Sequence, residues 1–276
     1  MNAAGIKALA IDLDGTALLP DNSLGGRTIQ VLKQLQSRGM QVIICTGRAV
    51  ESSRHYYRAI GAEGPMVFFN GAEVVDVPAG KVISSNLLAP EIVTYAVDVA
   101  RSMDIHFQVF LPPAEGRFEM LLIDKQRSES EMYQNHTGIT PEVTDLKAAL
   151  GAPGVKGCPK VMFITAPELH DKIRGKMIER FGGSIYCTRT HPTFLEIMNA
   201  GVSKGEGLKT AMECRGLKSG EVIAFGDEEN DLPLFTVAGF SAAPSNAREK
   251  VKEAADFIFG SNAEEGLAAF LEEHFL

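Results

Sequence analysis

The sequence predicts an α/β fold in which an open parallel-sheet core is interrupted by an inserted α+β unit. Two observations carry that expectation. Short apolar runs ending in Asp or Gly alternate with helix-period segments over the first seventy residues, and the alternation resumes at Lys204. Between them the chain changes to strand pairs joined by turns, with helices interspersed.

Ile6 to Ile11 is a short apolar run that stops at Asp12, the pattern of a strand buried on both faces. Ile29, Leu32 and Leu35 recur at helical spacing between Thr28 and Ser37, and Gly39 closes that helix. Gln41 to Cys45 reads as a second buried strand, Val50 to Ile60 as a second helix and Met66 to Phe69 as a third strand. Right-handed crossovers would place the three strands in one parallel sheet. Ala72 to Ser85 reads as a hairpin turning at Pro78-Ala79-Gly80. In the middle, Glu91 to Met103 is helical, with Ile92, Tyr95, Ala96 and Val99 on one face. Strands at His106 to Leu111 and Phe118 to Ile123 flank a turn bearing Pro and Gly. Two weaker helices, a strand at Val161 to Thr165, a helix at Leu169 to Phe181, and strands at Ile185 to Thr190 and Phe194 to Met198 follow. The closing part reads as helix Gly205 to Cys214, strand Val222 to Phe225, a helix from Asn230, a strand near Phe240, and helices around Glu249 and Ala268. The expected organisation is a core of residues 1–83 and 200–276 with an insert of residues 84–199.

The 27 Lys and Arg against 35 Asp and Glu leave a formal charge of −8, so counterion release on nucleic acid offers nothing and that partner is disfavoured. Cys45, Cys158, Cys187 and Cys214 are scattered without a C-x-x-C pair, which suits reduced thiols in a cytoplasmic protein. The six histidines lack zinc-ligand spacing. Met1 to Ala10 has no basic-then-apolar leader pattern, and no run approaches the length of a membrane span.

Open parallel sheets bind ligands beyond the carboxyl ends of their strands. Standing there are Asp12-Leu13-Asp14-Gly15-Thr16, Thr46-Gly47-Arg48, Asn70-Gly71, and Gly226-Asp227-Glu228-Glu229-Asn230-Asp231. Asp12, Asp14 and Asp227 are hard oxygen ligands that need a cation or protons to sit together. Carboxylates, waters and a phosphate oxygen make the usual Mg2+ shell. Thr46 and the Gly47 amide suit phosphate oxygens, and Lys204, at a helix start, can reach them as a point charge. A carboxylate about 4 Å from a phosphate dianion is repelled by about 8 kcal/mol at an effective dielectric near 20, so attack by an aspartate requires such cations.

With these residues the chain resembles a haloacid dehalogenase (HAD) superfamily phosphatase of the Cof-type branch with a large α/β cap. Asp12-x-Asp14-x-Thr16, Thr46-Gly47-Arg48, Gly201-Val202-Ser203-Lys204-Gly205 and Gly226-Asp227-x-x-Asn230-Asp231 match its four motifs in order, and Asn70-Gly71-Ala72 and Ser245-Asn246-Ala247 resemble that branch. The resemblance implies a Rossmann-like HAD core with an inserted α+β cap, and a phosphatase using Mg2+. It implies Asp12 as nucleophile and Asp14 as general acid and base. Metal ligands would be the Asp12 carboxylate, the Asp14 backbone carbonyl and the Asp227 carboxylate. Thr46, Gly47, Lys204 and Asn230 would hold phosphoryl oxygens, with Asp231 behind them or on Lys204. Arg48 would either touch substrate or brace its own loop, and Asn70 would shape the rim. The implied substrate is a small phosphate ester, a sugar phosphate or cofactor-precursor phosphate, since a bulky cap would exclude proteins. A phosphotransferase or sugar phosphomutase is the alternative. A phospho-aspartate signalling module is more remote, because Asp14 supplies an acid that a storage site would omit.

Other side chains read as structural. Glu228 and Glu229 suit a solvated helix start, Cys45 a packed thiol, and Tyr56 and Tyr57 helix packing. Arg189, His191 and Phe194 suit ordinary turn and core positions.

Overall fold

The computed structural model describes residues 5–111 and 119–276. The anticipated turn at 112–117 and the start of the strand at Phe118 lie outside the described residues.

The chain opens with β1 (Ala8–Ile11), α1 (Gly26–Ser37), β2 (Gln41–Ile44), α2 (Val50–Ile60), β3 (Gly64–Phe68), β4 (Glu73–Val77) and β5 (Lys81–Ser85). It continues with α3 (Pro90–Met103), β6 (His106–Leu111), β7 (Met120–Ile123), α4 (Ser128–Thr137), β8 (Glu142–Val143), α5 (Leu146–Leu150), β9 (Val161–Ile164), α6 (His170–Phe181), β10 (Ile185–His191) and β11 (Phe194–Asn199). It ends with α7 (Lys204–Arg215), β12 (Val222–Phe225), α8 (Leu232–Val237), β13 (Phe240–Pro244), α9 (Glu249–Ala254), β14 (Phe257–Phe259) and α10 (Gly266–Phe275). Two compact units result: Met1–Arg48, Ser53–Ser84 and Ser203–Leu276 form one, and Ala49–Ser52 with Ser85–Val202 form the other.

Among the described residues the first unit holds a five-stranded sheet in the order β14-β13-β12-β1-β2, parallel throughout. The α/β core with a separate sheet in the insert is as expected. Every residue of β1 is buried, which accounts for its unbroken apolar run. Its register sets the site. Ile11 lies level with both Phe225 and Ile44, Asp12 N donates to the Phe225 carbonyl at 3.0 Å, and Cys45 N donates to the Ile11 carbonyl at 2.9 Å. The residues that follow β1, β2 and β12 therefore leave the sheet together.

The third strand is a correction. β3 pairs antiparallel with β4 in a three-stranded sheet, β3-β4-β5, and keeps a parallel bridge to β2 in place of a continuous ladder. It meets β2 at the Cys45–Val67 bridge and the bond from Thr46 N to the Val67 carbonyl. The physical reason is Arg215, the last residue of α7. Its Nη2 donates to the carbonyls of Glu63 (2.8 Å), Pro65 (2.9 Å) and Val42 (3.4 Å), and its Nη1 to Gln41 Oε1 (3.1 Å). The guanidinium stands where a ladder between the first halves of β2 and β3 would run, and Pro65 has no N–H to give one.

In the second unit the sheet order is β10-β11-β9-β6-β7-β8, antiparallel except for β7 with β8. Phe107, Val109, Leu111, Val161, Phe163, Leu195 and Ile197, alternating along their strands, pack with Ile92, Ala96 and Val99 of α3 and Ile173 and Met177 of α6. The intervening Lys160 and Glu196 form a buried ion pair at 2.7 Å, with the Lys160 ammonium 5.1 Å from the Phe110 ring centre. Among the described residues no helix is long and apolar enough to cross a membrane. The two-residue β8 and three-residue β14 were too short for a periodicity signal.

Arg215→Met is expected to lower unfolding stability by about 2 kcal/mol, because partly buried carbonyls lose a charged donor. Urea unfolding checks it, as a lower midpoint at unchanged slope.

Candidate active site

Asp12 leaves β1 in extended conformation (φ −73°, ψ 155°), and Leu13–Ala17 then coil into a wide turn closed by Leu18 N donating to the Leu13 carbonyl at 2.8 Å. Gly15 takes φ +77° in that turn, and a Cβ there would collide with the Asp227 carboxylate, so only glycine admits the approach. Thr16 Oγ1 donates to Asp227 Oδ1 at 2.8 Å. Asn246 Nδ2 donates to the Gly15 carbonyl at 2.8 Å, and Asn262 Nδ2 to the Leu18 carbonyl at 2.7 Å. The loop is thus pinned by Asp227 and by two asparagines near the end of the chain.

Lys204 is the first residue of α7, whose Ser203 cap accepts from Glu206 N at 3.2 Å. Its ammonium is 2% exposed and donates to Asp12 Oδ1 and Asp231 Oδ1, each at 2.7 Å. Asp231 Oδ2 in turn accepts from the backbone amides of Asp227 (2.9 Å) and Glu228 (3.1 Å). Asp12, Asp227 and Asp231 bring carboxylate oxygens within 4.8 Å of one another, the group of that kind found among the described residues. Burial raises the Asp12 carboxyl well above its ordinary range and Asp231 raises it further, although Lys204 opposes both. Burial and then Asp231 raise Asp227 to about 7. Burial alone would lower Lys204, but Asp12 and Asp231 outweigh it and the ammonium is held charged.

Thr46 is fully buried, and its Oγ1 accepts from Arg48 N at 3.1 Å. Asn70 sits at φ +56°, its N donating to the Thr46 carbonyl at 3.0 Å, and its Oδ1 accepts from Asn230 Nδ2 at 2.9 Å. A Cβ on Gly47 would lie 2.8 Å from Asn70 Oδ1, so glycine lets these two loops close on each other. Asp14 turns to a different partner: Arg48 Nε and Nη2 donate to its two carboxylate oxygens at 2.7 and 2.6 Å.

The structure therefore gathers Asp12, Asp227, Asp231 and Lys204 into one network, Thr46, Gly47, Asn70 and Asn230 into a second, and Asp14 with Arg48 into a third. Glu228 and Glu229 pair with Arg248 and Lys250 on the surface. Cys45 is buried, and burial pushes its thiol up, as for a packed group. Phe194 packs on Tyr133, and Arg189 pairs with Asp171 on the surface. The His191 side chain lies outside the described residues. The sequence assigns no site role to Asn22, Asn246 or Asn262, marks Thr16 only as a motif position and reads Tyr56 only as helix packing. Asn246 carries a signal in Ser245-Asn246-Ala247 and Thr16 in Asp12-x-Asp14-x-Thr16, but Asn22, Tyr56 and Asn262 meet the site through tertiary contacts that no local spacing encodes.

Residues 9–271 match the haloacid dehalogenase-like hydrolase family. The chain belongs to that family. This HAD-like chain is 30% identical over 273 residues to the 5-amino-6-(5-phospho-D-ribitylamino)uracil phosphatase YitU of Bacillus subtilis, covering 97% of each. It is 24% identical over 286 residues to the pyridoxal phosphate phosphatase YbhA of Escherichia coli, covering 98% of this chain and 99% of that one. A haloacid dehalogenase-like hydrolase structure from Bacteroides thetaiotaomicron superposes with a TM-score of 0.88 at 24% identity, over 98% of this chain and 100% of that one. With full-length relatives named as phosphatases, the HAD-like chain is a phosphatase.

The donor set fits a divalent cation. Three carboxylates face one buried ammonium, and both Asp231 oxygens are taken by Lys204 and the amides, so the surplus charge falls on Asp12 and Asp227. Burial favours the protonated form of both in the ion-free protein. An ion-free Asp227 keeps its proton to about pH 7, while the unfolded chain loses it near about pH 4. Thermal stability without ions is therefore expected to fall as pH rises from about 4 through about 7. Millimolar Mg2+ at pH 7.5 should restore it. Asp227→Asn should lessen the pH dependence, with Asp12 and the buried Glu73, itself raised to about 7, supplying the rest, and should blunt the Mg2+ response, both read as melting temperatures.

Proposed function

We propose that this phosphatase hydrolyses a small phosphorylated metabolite, a sugar phosphate or cofactor-precursor phosphate, through a phospho-aspartate on Asp12. The observation that carries the reading is the clustering of Asp12 and Asp227 with the Lys204 ammonium beside Asp12. Full-length relatives named for 5-amino-6-(5-phospho-D-ribitylamino)uracil and for pyridoxal phosphate support the substrate class.

An oxygen of Asp12 attacks phosphorus, the bond from phosphorus to the ester oxygen breaks, and Asp14 gives its proton to the departing alkoxide. Water then attacks the aspartyl phosphate, Asp14 takes its proton, and inorganic phosphate leaves with Asp12 regenerated. Lys204 fixes Asp12 through Oδ1 and places a positive charge where the phosphoryl oxygens gain negative charge. Thr46, the Gly47 amide and Asn230 would orient those oxygens from the facing loop. Asp231 keeps Lys204 in place. The Asp12 and Asp227 carboxylates and the Asp14 backbone carbonyl would hold Mg2+, whose charge offsets the repulsion between carboxylate and phosphate.

The test is phosphate release across a panel of phosphosugars, nucleotides and cofactor precursors with Mg2+; stoichiometric inorganic phosphate with water as acceptor is expected, and transfer to a second sugar instead would make the protein a transferase. Asp12→Asn should abolish turnover while circular dichroism stays unchanged, and retained activity in pure variant would rule out the covalent route. Asp14→Asn should slow alkyl phosphate hydrolysis by about 100-fold or more. Aryl phosphates, whose leaving groups need no proton, should lose much less.

A further inference from the structure

Asp14 is the one proposed reacting group that stands outside the buried Asp12–Lys204 network. Its side chain is 46% exposed, on a turn, whereas the Arg48 side chain that grips it is 9% exposed. The grip is two-pronged, Nε to Oδ2 at 2.7 Å and Nη2 to Oδ1 at 2.6 Å, the fork geometry that only guanidinium offers a carboxylate. Arg48 is itself held. Its Nη2 reaches Asn22 Oδ1 at 3.4 Å, and its guanidinium carbon lies 5.3 Å from the centre of the Tyr56 ring. Tyr56 Oη donates to the Asn22 carbonyl at 2.7 Å, and Asn22 sits at φ +64° in the turn that brings Leu24 back to bridge Leu18. Three segments thus converge on one arginine: the turn after β1, the loop after β2 and the helix α2.

An exposed carboxylate free to sample its rotamers would spend little time aimed at one ester oxygen, and misplacement of about 1 Å can cost about 100-fold in rate. We propose that Arg48, fixed by Asn22 and Tyr56, is the positioning residue for the acid–base Asp14. It orients the Asp14 carboxylate for both proton transfers without exchanging a proton itself: one Arg48 prong lets go while Asp14 holds the proton for the alkoxide, and both prongs engage once that proton has gone. The assignment rests on the acid–base reading of Asp14 and adds to it which residue holds that group in place. It also separates Arg48 from the phosphoryl-binding set, since its fork is spent on Asp14.

A double-mutant cycle on the full-length protein with Mg2+ tests this, comparing p-nitrophenyl phosphate with glycerol 2-phosphate. Arg48→Met is expected to lower kcat on the alkyl ester by about 10- to 100-fold and on the aryl ester by less than about threefold, with KM changing little. In an Asp14→Asn background it should cost no more than about twofold further, because the group it positions is gone. Arg48→Lys, which keeps charge but loses the fork, should behave like Arg48→Met. Melting temperatures confirm that each variant is folded. Equal losses on both esters, a rise in KM alone, or additive losses in the Asp14→Asn background would overturn the assignment. Should Asp14→Asn itself be blind to the leaving group, the acid–base reading falls, and the Arg48 assignment with it.

Discussion

The structure turns on an ammonium group sealed between two carboxylates. Lys204 touches Asp12 from β1 and Asp231 from the start of the α8 region, with almost no water in reach. A charge in such a place is tolerable only if it is paired and hydrogen-bonded. That requirement propagates outward. Asp231 must stay in place, and its Oδ2 is held by the Asp227 and Glu228 amides; those bonds in turn fix the loop that presents Asp227. Asp227 anchors Thr16 and crowds Gly15, so the loop carrying Asp12 and Asp14 is shaped by the same charge pair.

Two regimes of electrostatics follow within one site. Around Asp12 the dielectric is low, the groups are coupled, and the surplus of negative charge is an invitation to a cation. Around Asp14 water reaches the carboxylate, and a single contact there contributes little to stability. Geometry, not depth, has to order that half of the site.

Much of the arrangement was legible in the chain because parallel register is a strong constraint. Once β1, β2 and β12 are adjacent, the residues just past them must emerge at one level, and reading Asp12, Thr46 and Asp227 as neighbours needs little more. Lys204 was legible as a helix start for similarly local reasons, standing just before the helical run from Gly205. What stayed hidden came from side chains that act at a distance. Arg215 diverts β3 from the parallel ladder through carbonyls of Val42, Glu63 and Pro65, and nothing in the Met66 to Phe69 run announces it. Tyr56 looked like packing because its ring does pack; that it also lies against a guanidinium depends on where the turn at Asn22 comes back.

The register of β1 has a further consequence, for synthesis. Ala8 pairs on one side with Gln41 and on the other with Val222, whose strand β12 follows the whole second unit in the chain. A nascent chain must therefore carry an apolar strand with one bare edge until β12 is made, a feature that slows closure and invites stray pairing. The acidic groups at the tip of that strand become a site only when Lys204, Asp227 and Asp231 have been made to complete it.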